Sequence, residues 1–120
     1  MSTFPVNKSS SLKNTSEIDA VFKDGSKLSS KLISLYYVKS KKENPLRAAF
    51  SVGKKTHNLA VNRNKIKRLM REAFRLNIEK YNIVSCDLVF VYFGQDIASY
   101  EEVKNSIKSL LLSLTKTIES

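Results

Sequence analysis

From residue 59 to residue 77 apolar and basic side chains alternate at close to the helical period, which predicts a long amphipathic helix. At about 100° per residue, Lys67, Arg68, Arg71 and Arg75 share one arc with Asn64, while Ile66, Leu69, Met70, Ala73 and Leu76 fall on the other side. An earlier, shorter helix starts near Asn14, an N-cap with Glu17 three residues on, and shows an apolar stripe at Ile18, Val21 and Phe22. Gly25 is placed to end it as a left-handed residue. Residues 32–39 and 47–53 are rich in β-branched and aromatic positions or alternate in polarity, so they read as antiparallel neighbours joined by residues 40–46, with Asn44-Pro45 marking the turn. Residues 87–93 form a nearly continuous apolar run, expected of a central strand covered on both faces. Ser99 with Glu102 predicts a capping box opening a last helix with Val103, Ile107, Leu110, Leu111, Leu114 and Ile118 on one face. The order is α-β-β-α-β-α, an α+β two-layer sandwich with helices packed on a small mixed sheet. Residues 1–120 are expected to form a single domain that folds unaided, with residues 1–11 flexible.

Charge changes this picture from a fold to a binding protein. Residues 54–75 carry eight basic side chains against one acid, Glu72, and so supply +7 of the formal net charge of +10. Such a concentration on one helix face attracts a polyanion, either a phosphate backbone or an anionic membrane surface. Membrane binding is the weaker alternative, because no apolar run approaches the ~18 to 20 residues that span a bilayer. The amino terminus lacks the basic start and apolar run of a secretory signal, and a lone Cys86 agrees with a reducing compartment, so a cytoplasmic location is expected.

Catalytic groups are scarce. The single histidine, His57, reads as a surface loop residue ahead of the basic helix, and Cys86 as a buried structural thiol. No pair of ligands has zinc spacing, the eleven acids are dispersed, and none of the three glycines belongs to a phosphate-binding pattern. Phe22, Tyr92 and Phe93 are assigned to packing, since a domain without tryptophan needs its aromatics in the core. Tyr36 and Tyr37 are adjacent on one strand and point to opposite faces; with Ile33, Leu35 and Tyr37 inward, Tyr36 lies on the open face with Ser34, available to stack on a nucleotide.

The block Phe50-Ser51-Val52-Gly53-Lys54-Lys55, a short spacer, and then the run from Ala60 through Asn62-Arg63-Asn64-Lys65-Ile66-Lys67-Arg68 to Phe74 resembles the signature of the bacterial ribonuclease P protein component. Leu12-Lys13-Asn14 and Val21-Phe22-Lys23-Asp24-Gly25 resemble that family's first helix, Leu35-Tyr36 its first-strand aromatic position and Asp87-Leu88-Val89 its central strand, so that the likeness covers residues 9–115. Two positions depart from the pattern: Lys65 replaces the second arginine of the family's Arg-Asn-Arg core, losing a planar fork, and Ile18 stands where an aromatic is usual.

The resemblance implies the protein subunit of an endoribonuclease whose active site is on a large RNA subunit. There magnesium ions, Mg2+ held mainly by RNA and substrate, remove the 5′ leader of precursor tRNA. It also implies a left-handed β-α-β crossover through the basic helix, against the usual rule. Carried over by motif, Lys54, Lys55, Arg63, Asn64, Lys65, Lys67, Arg68, Arg71 and Arg75 are the expected contacts to the RNA subunit, and Lys13, Phe22 and Tyr36 those to the single-stranded leader. The expected partners are that RNA, bound 1:1 by a protein monomeric on its own, and precursor tRNA. No catalytic residue and no metal ligand is expected in this chain. A free-standing RNA-binding protein of ribosomal type would share the charge and the α+β pattern but leaves the signature block unexplained.

Overall fold

A computed structural model of the chain describes residues 15–39, 46–53, 57, 59–81, 83 and 86–119. The elements run α1 (Thr15–Asp24), β1 (Ser26–Ser29), β2 (Ile33–Lys39), β3 (Arg47–Val52), α2 (Ala60–Asn77), β4 (Cys86–Tyr92) and α3 (Tyr100–Glu119), with a 3₁₀ turn at Ile78–Lys80. The architecture is α+β, three helices on a small mixed sheet, and it contains one strand more than the sequence pattern implies. β1, Ser-Lys-Leu-Ser, has a single apolar residue and thus no alternation to detect. It exists because Ser30 closes a tight turn, its backbone N–H and its hydroxyl both donating to the Ile33 carbonyl at 2.8 and 2.9 Å.

The sheet order is β1-β2-β4-β3, with β2 antiparallel and β3 parallel to β4. β2 and β3 are therefore not neighbours, which corrects the expected pairing. The reason lies in β4: Leu88, Val89 and Phe90 are all fully buried, so both edges and both faces of this strand need covering, and it takes the central place between them. The parallel step from β3 to β4 is bridged by α2.

On one face Ile33, Leu35, Ala48, Val52, Leu88, Phe90 and Tyr92 meet Ile66, Met70 and Phe74 of α2 and Val103, Ile107, Leu110, Leu111 and Leu114 of α3. Each fully buried large side chain of this set contributes roughly 1.5–3 kcal/mol by leaving water. The capping box of α3 forms in both directions: the Glu102 N–H donates to Ser99 Oγ at 3.2 Å, and the Ser99 N–H donates to Glu102 Oε1 at 3.1 Å. Among the described residues the opposite face carries α1, whose Val21 covers Val89, with Ile18, Tyr36, Val38, Ala49 and Val91 around the pair. The Asn14 cap of α1 lies outside the described residues.

Gly25 ends α1, but without a left-handed backbone. Its N–H donates to the Val21 carbonyl at 2.9 Å. A Cβ there would sit 2.4 Å from the Val21 oxygen and 2.7 Å from the Tyr37 oxygen, so the residue is set by the close approach of α1 to β2 and not by a positive φ.

Candidate nucleic-acid interface

The basic helix forms as its periodicity predicts, from Ala60 to Asn77. Ile66, Met70, Ala73, Phe74 and Asn77 are buried, and Leu69 is half-buried. Leu76, expected inside, is exposed: it lies at the flank of the buried stripe on the last turn, while Asn77 is drawn inward, its side-chain amide donating to the Ala73 carbonyl at 2.7 Å.

On the outer side Asn64, Lys65, Arg68 and Arg71 are exposed and Lys67 and Arg75 half-buried. A groove of about 530 Å³ between Val61, Asn62, Asn64, Lys65 and Arg68 indents the first half of this face. The Arg71 guanidinium stands 5.9 Å from the centre of the Phe50 ring, which itself stacks on Phe90 at 5.4 Å, so the charged end of that side chain rests over the edge of the aromatic core. Arg75 pairs with Glu72. Arg63 turns back across the start of the helix and donates to the His57 carbonyl at 2.9 Å. Lys54 and Lys55 lie outside the described residues.

His57 is not a surface residue. It is buried, its Nε2 is 2.8 Å from the Gly94 carbonyl, and its ring lies 5.9 Å from that of Tyr92. Its N–H donates to the Gly53 carbonyl at 3.0 Å. This side chain thus ties the segment before the basic helix to the loop after β4. Its partner is 37 residues away in sequence, which no local pattern reveals.

A second surface lies on the other face of the sheet. Tyr36 is there, as the alternation of β2 requires, and Phe22 of α1 meets it edge-on, ring centres 4.8 Å apart. Phe22 is 40% exposed, which corrects its assignment to the core. The register Lys27↔Tyr36 across the β1–β2 hairpin places the Lys27 ammonium 5.6 Å from the Tyr36 ring centre. Lys27 escaped the sequence reading because the strand that carries it did; pairing residues 26–29 with 34–37 would have found it. Lys13 lies outside the described residues. Arg47 and Asp87, register partners on the same face, form a two-point ion pair with contacts of 3.0 and 2.9 Å.

The chain thus presents a cationic helix on one side of the sheet and an aromatic patch beside a lysine on the other. Among the described residues no three of His, Cys, Asp and Glu gather where they could hold a metal ion. The family model for ribonuclease P matches residues 6–115. The chain belongs to the ribonuclease P protein family. Among curated relatives, the ribonuclease P protein component of Clostridium kluyveri is 39% identical over 102 residues, covering 83% of this chain and 89% of that protein. That of Clostridioides difficile is 33% identical over 106 residues, covering 88% and 91%. The Staphylococcus aureus RNase P protein structure superimposes with a TM-score of 0.72 at 27% identity, covering 89% of this chain and 95% of that one. The RNase P protein from Thermotoga maritima, 24% identical with a TM-score of 0.72 and covering 83% and 93%, shares the fold. Family membership ties the signature block to the helix whose exposed face carries the cations.

Proposed function

We propose that this ribonuclease P protein assists a catalytic RNA in removing the 5′ leader from precursor tRNA, its basic helix gripping the RNA subunit and its open sheet face holding the leader. The observation that carries the reading is the outward cationic face of α2, with Asn64, Lys65, Lys67, Arg68, Arg71 and Arg75 set opposite a fully buried stripe. Guanidinium and ammonium groups so placed neutralise phosphates without unfolding the helix that presents them. Arg63, Lys54 and Lys55 extend the contact toward the start of α2. Phe22 and Tyr36 offer ring surface to unpaired bases, and Lys13 a charge for the leader backbone.

Catalysis on this reading belongs to the RNA. Mg2+ held by the RNA subunit and substrate would supply the activation of the attacking water, while the protein's residues position the leader and screen the phosphates around the site. The assembly is one protein to one RNA, with the free protein monomeric, working in the cytoplasm. Among the described residues no helix is long and apolar enough to cross a membrane.

The test is cleavage of precursor tRNA at low magnesium by a bacterial ribonuclease P RNA with and without this chain. The protein is expected to raise the rate most where magnesium is scarce, because its cations then replace missing counterions. Sustained cleavage by the purified chain alone, or no help to the RNA at any magnesium concentration, would reject the proposal.

A further inference from the structure

The open sheet face has an aromatic ring at each end. Tyr36, with Phe22 and Lys27, marks one end. At the other is Phe93, which packing considerations place in the core and which is 45% exposed. The ladder of β2 and β4 pairs Tyr36 with Val89, Ser34 with Val91 and Ile33 with Tyr92, and the Phe93 N–H donates to the Leu32 carbonyl at 2.9 Å, continuing that ladder one step. Tyr92 is buried on the side of α2 and α3, so the next residue projects to the face that holds Tyr36. Between the two rings the row Ser34–Val91–Ser51 crosses β2, β4 and β3 with small side chains only, Ser34 buried and Val91 and Ser51 half-buried, so that no bulky group of this row stands between Tyr36 and Phe93. Among the described residues no other aromatic ring covers Phe93.

We propose that Phe93 is a second stacking platform for single-stranded RNA, taking a base further along the strand that passes Tyr36. The proposal rests on the leader-binding reading of this face. Four residues of antiparallel strand separate the two rings, roughly 14 Å. A nucleic-acid strand advances about 3.4 Å per stacked nucleotide and about twice that when drawn out, so the two bases are roughly two to four nucleotides apart. A phenyl ring has no hydrogen-bonding group and no charge. The contact is thus indifferent to base identity and sets how much leader is held, not which sequence.

The chain contains no tryptophan, so Phe93→Trp and Tyr36→Trp each create a single tryptophan, excited selectively beyond the tyrosine absorption band. Each variant, assembled with a bacterial ribonuclease P RNA, is titrated with precursor tRNAs of stepwise longer leaders and with leaderless tRNA. Emission from Trp at 93 is expected to be quenched only past a leader length that differs by about two to four nucleotides from the threshold at 36. Phe93→Ala should weaken binding of long-leader precursors by roughly fivefold or more, the lower end of one aromatic–base stack, and leave short-leader precursors unchanged, while Phe93→Tyr restores the affinity. Quenching at 36 but none at 93, with Phe93→Ala binding as the parent does, would overturn the proposal and leave the leader reading standing. Silence at both positions with leader length without effect would overturn both.

Discussion

Single atoms decide how closely α1 lies on the sheet. A methyl at position 25 would meet two backbone oxygens, of Val21 and Tyr37, neither of which can rotate away. Gly25→Ala should therefore cost about 2 kcal/mol or more by forcing α1 away from β2, in the range where only a named steric or packing fault leads. Phe22 would be carried off Tyr36, so thermal denaturation should show the loss of stability and leader affinity should fall with it. An unchanged melting temperature would mean that the close approach of α1 to β2 does not depend on the missing side chain at position 25. Tyr92 illustrates a different fault, because its hydroxyl donates to the Asp96 carbonyl at 2.6 Å and accepts from the Ala98 N–H at 3.1 Å, closing the loop before α3. Tyr92→Phe strands both groups and should cost about 1–3 kcal/mol by chemical denaturation. The same residue shapes the alkaline limb. Burial pushes its phenol up from the ordinary 10.0, offset by the Ala98 N–H and reinforced by the charges of Glu102 and Asp96. Burial likewise pushes the Cys86 thiol up from 9.0, offset by Lys39 and reinforced by Asp87. The folded chain keeps these protons after the unfolded chain has released them, so stability is whole below the unfolded values and falls as pH rises through the window above them. In Tyr92→Phe the part of that fall beginning near 10.0 should vanish and the part from Cys86, beginning near 9.0, should stay.

Among the elements, α2 divides its labour between two sides of one cylinder, and that division can be cut. Changing Arg68, Arg71 and Arg75 together to Ala removes three outward cations and no buried side chain; Arg75 also releases Glu72, an ion pair half in water and worth little to stability. RNA-subunit affinity should drop by tenfold or more while far-ultraviolet circular dichroism stays that of the parent, alanine being the better helix former. A collapsed spectrum would show those arginines to be structural. Helices α2 and α3 were legible in the sequence because their instructions are local, an apolar stripe at helical spacing and, for α3, a capping box three residues wide. β4 was legible because a continuous apolar run has one stable place in a sheet. Its neighbours were not, since pairing is settled between segments 40 to 59 residues apart, and the tighter reading of β2 against β3 loses once β4 must be covered on both edges. β1 carries one apolar residue and owes its existence to the Ser30 turn and to β2 beside it. The same limit hid His57, whose partner is the Gly94 carbonyl, and misplaced Phe22 and Phe93, whose types belong in a core but which stand exposed on α1 and just past the end of β4. Tyr36 was placed correctly because a strand's alternation, once Ile33 and Leu35 are inward, leaves no choice.

On the proposed reading the whole molecule binds RNA through two surfaces with different physics, on opposite faces of one sheet. On α2 the proposed contacts are ionic: Lys65, Lys67, Arg68, Arg71 and Arg75 would all carry charge into the interface. If each neutralises one phosphate, log K for the RNA subunit should fall by about 3.5 to 4.5 per unit of log salt, so a fourfold rise in salt weakens binding on the order of a hundredfold or more. The triple arginine variant should then lose about two to three units of that slope, because fewer counterions are released. On the other face the proposed contacts are aromatic, beside the Lys27 ammonium, and stacking releases no counterions. The extra affinity that a leader adds should therefore change little over the same salt range. Tyr36→Ala should shrink that increment, by roughly fivefold or more, without altering the salt slope of RNA-subunit binding. Measuring both quantities across salt for the parent, the triple variant and Tyr36→Ala separates the faces. A leader increment as steep in salt as RNA-subunit binding would mean that phosphates, not bases, are held on the open sheet, and the roles given to Phe22 and Tyr36 would pass to lysines.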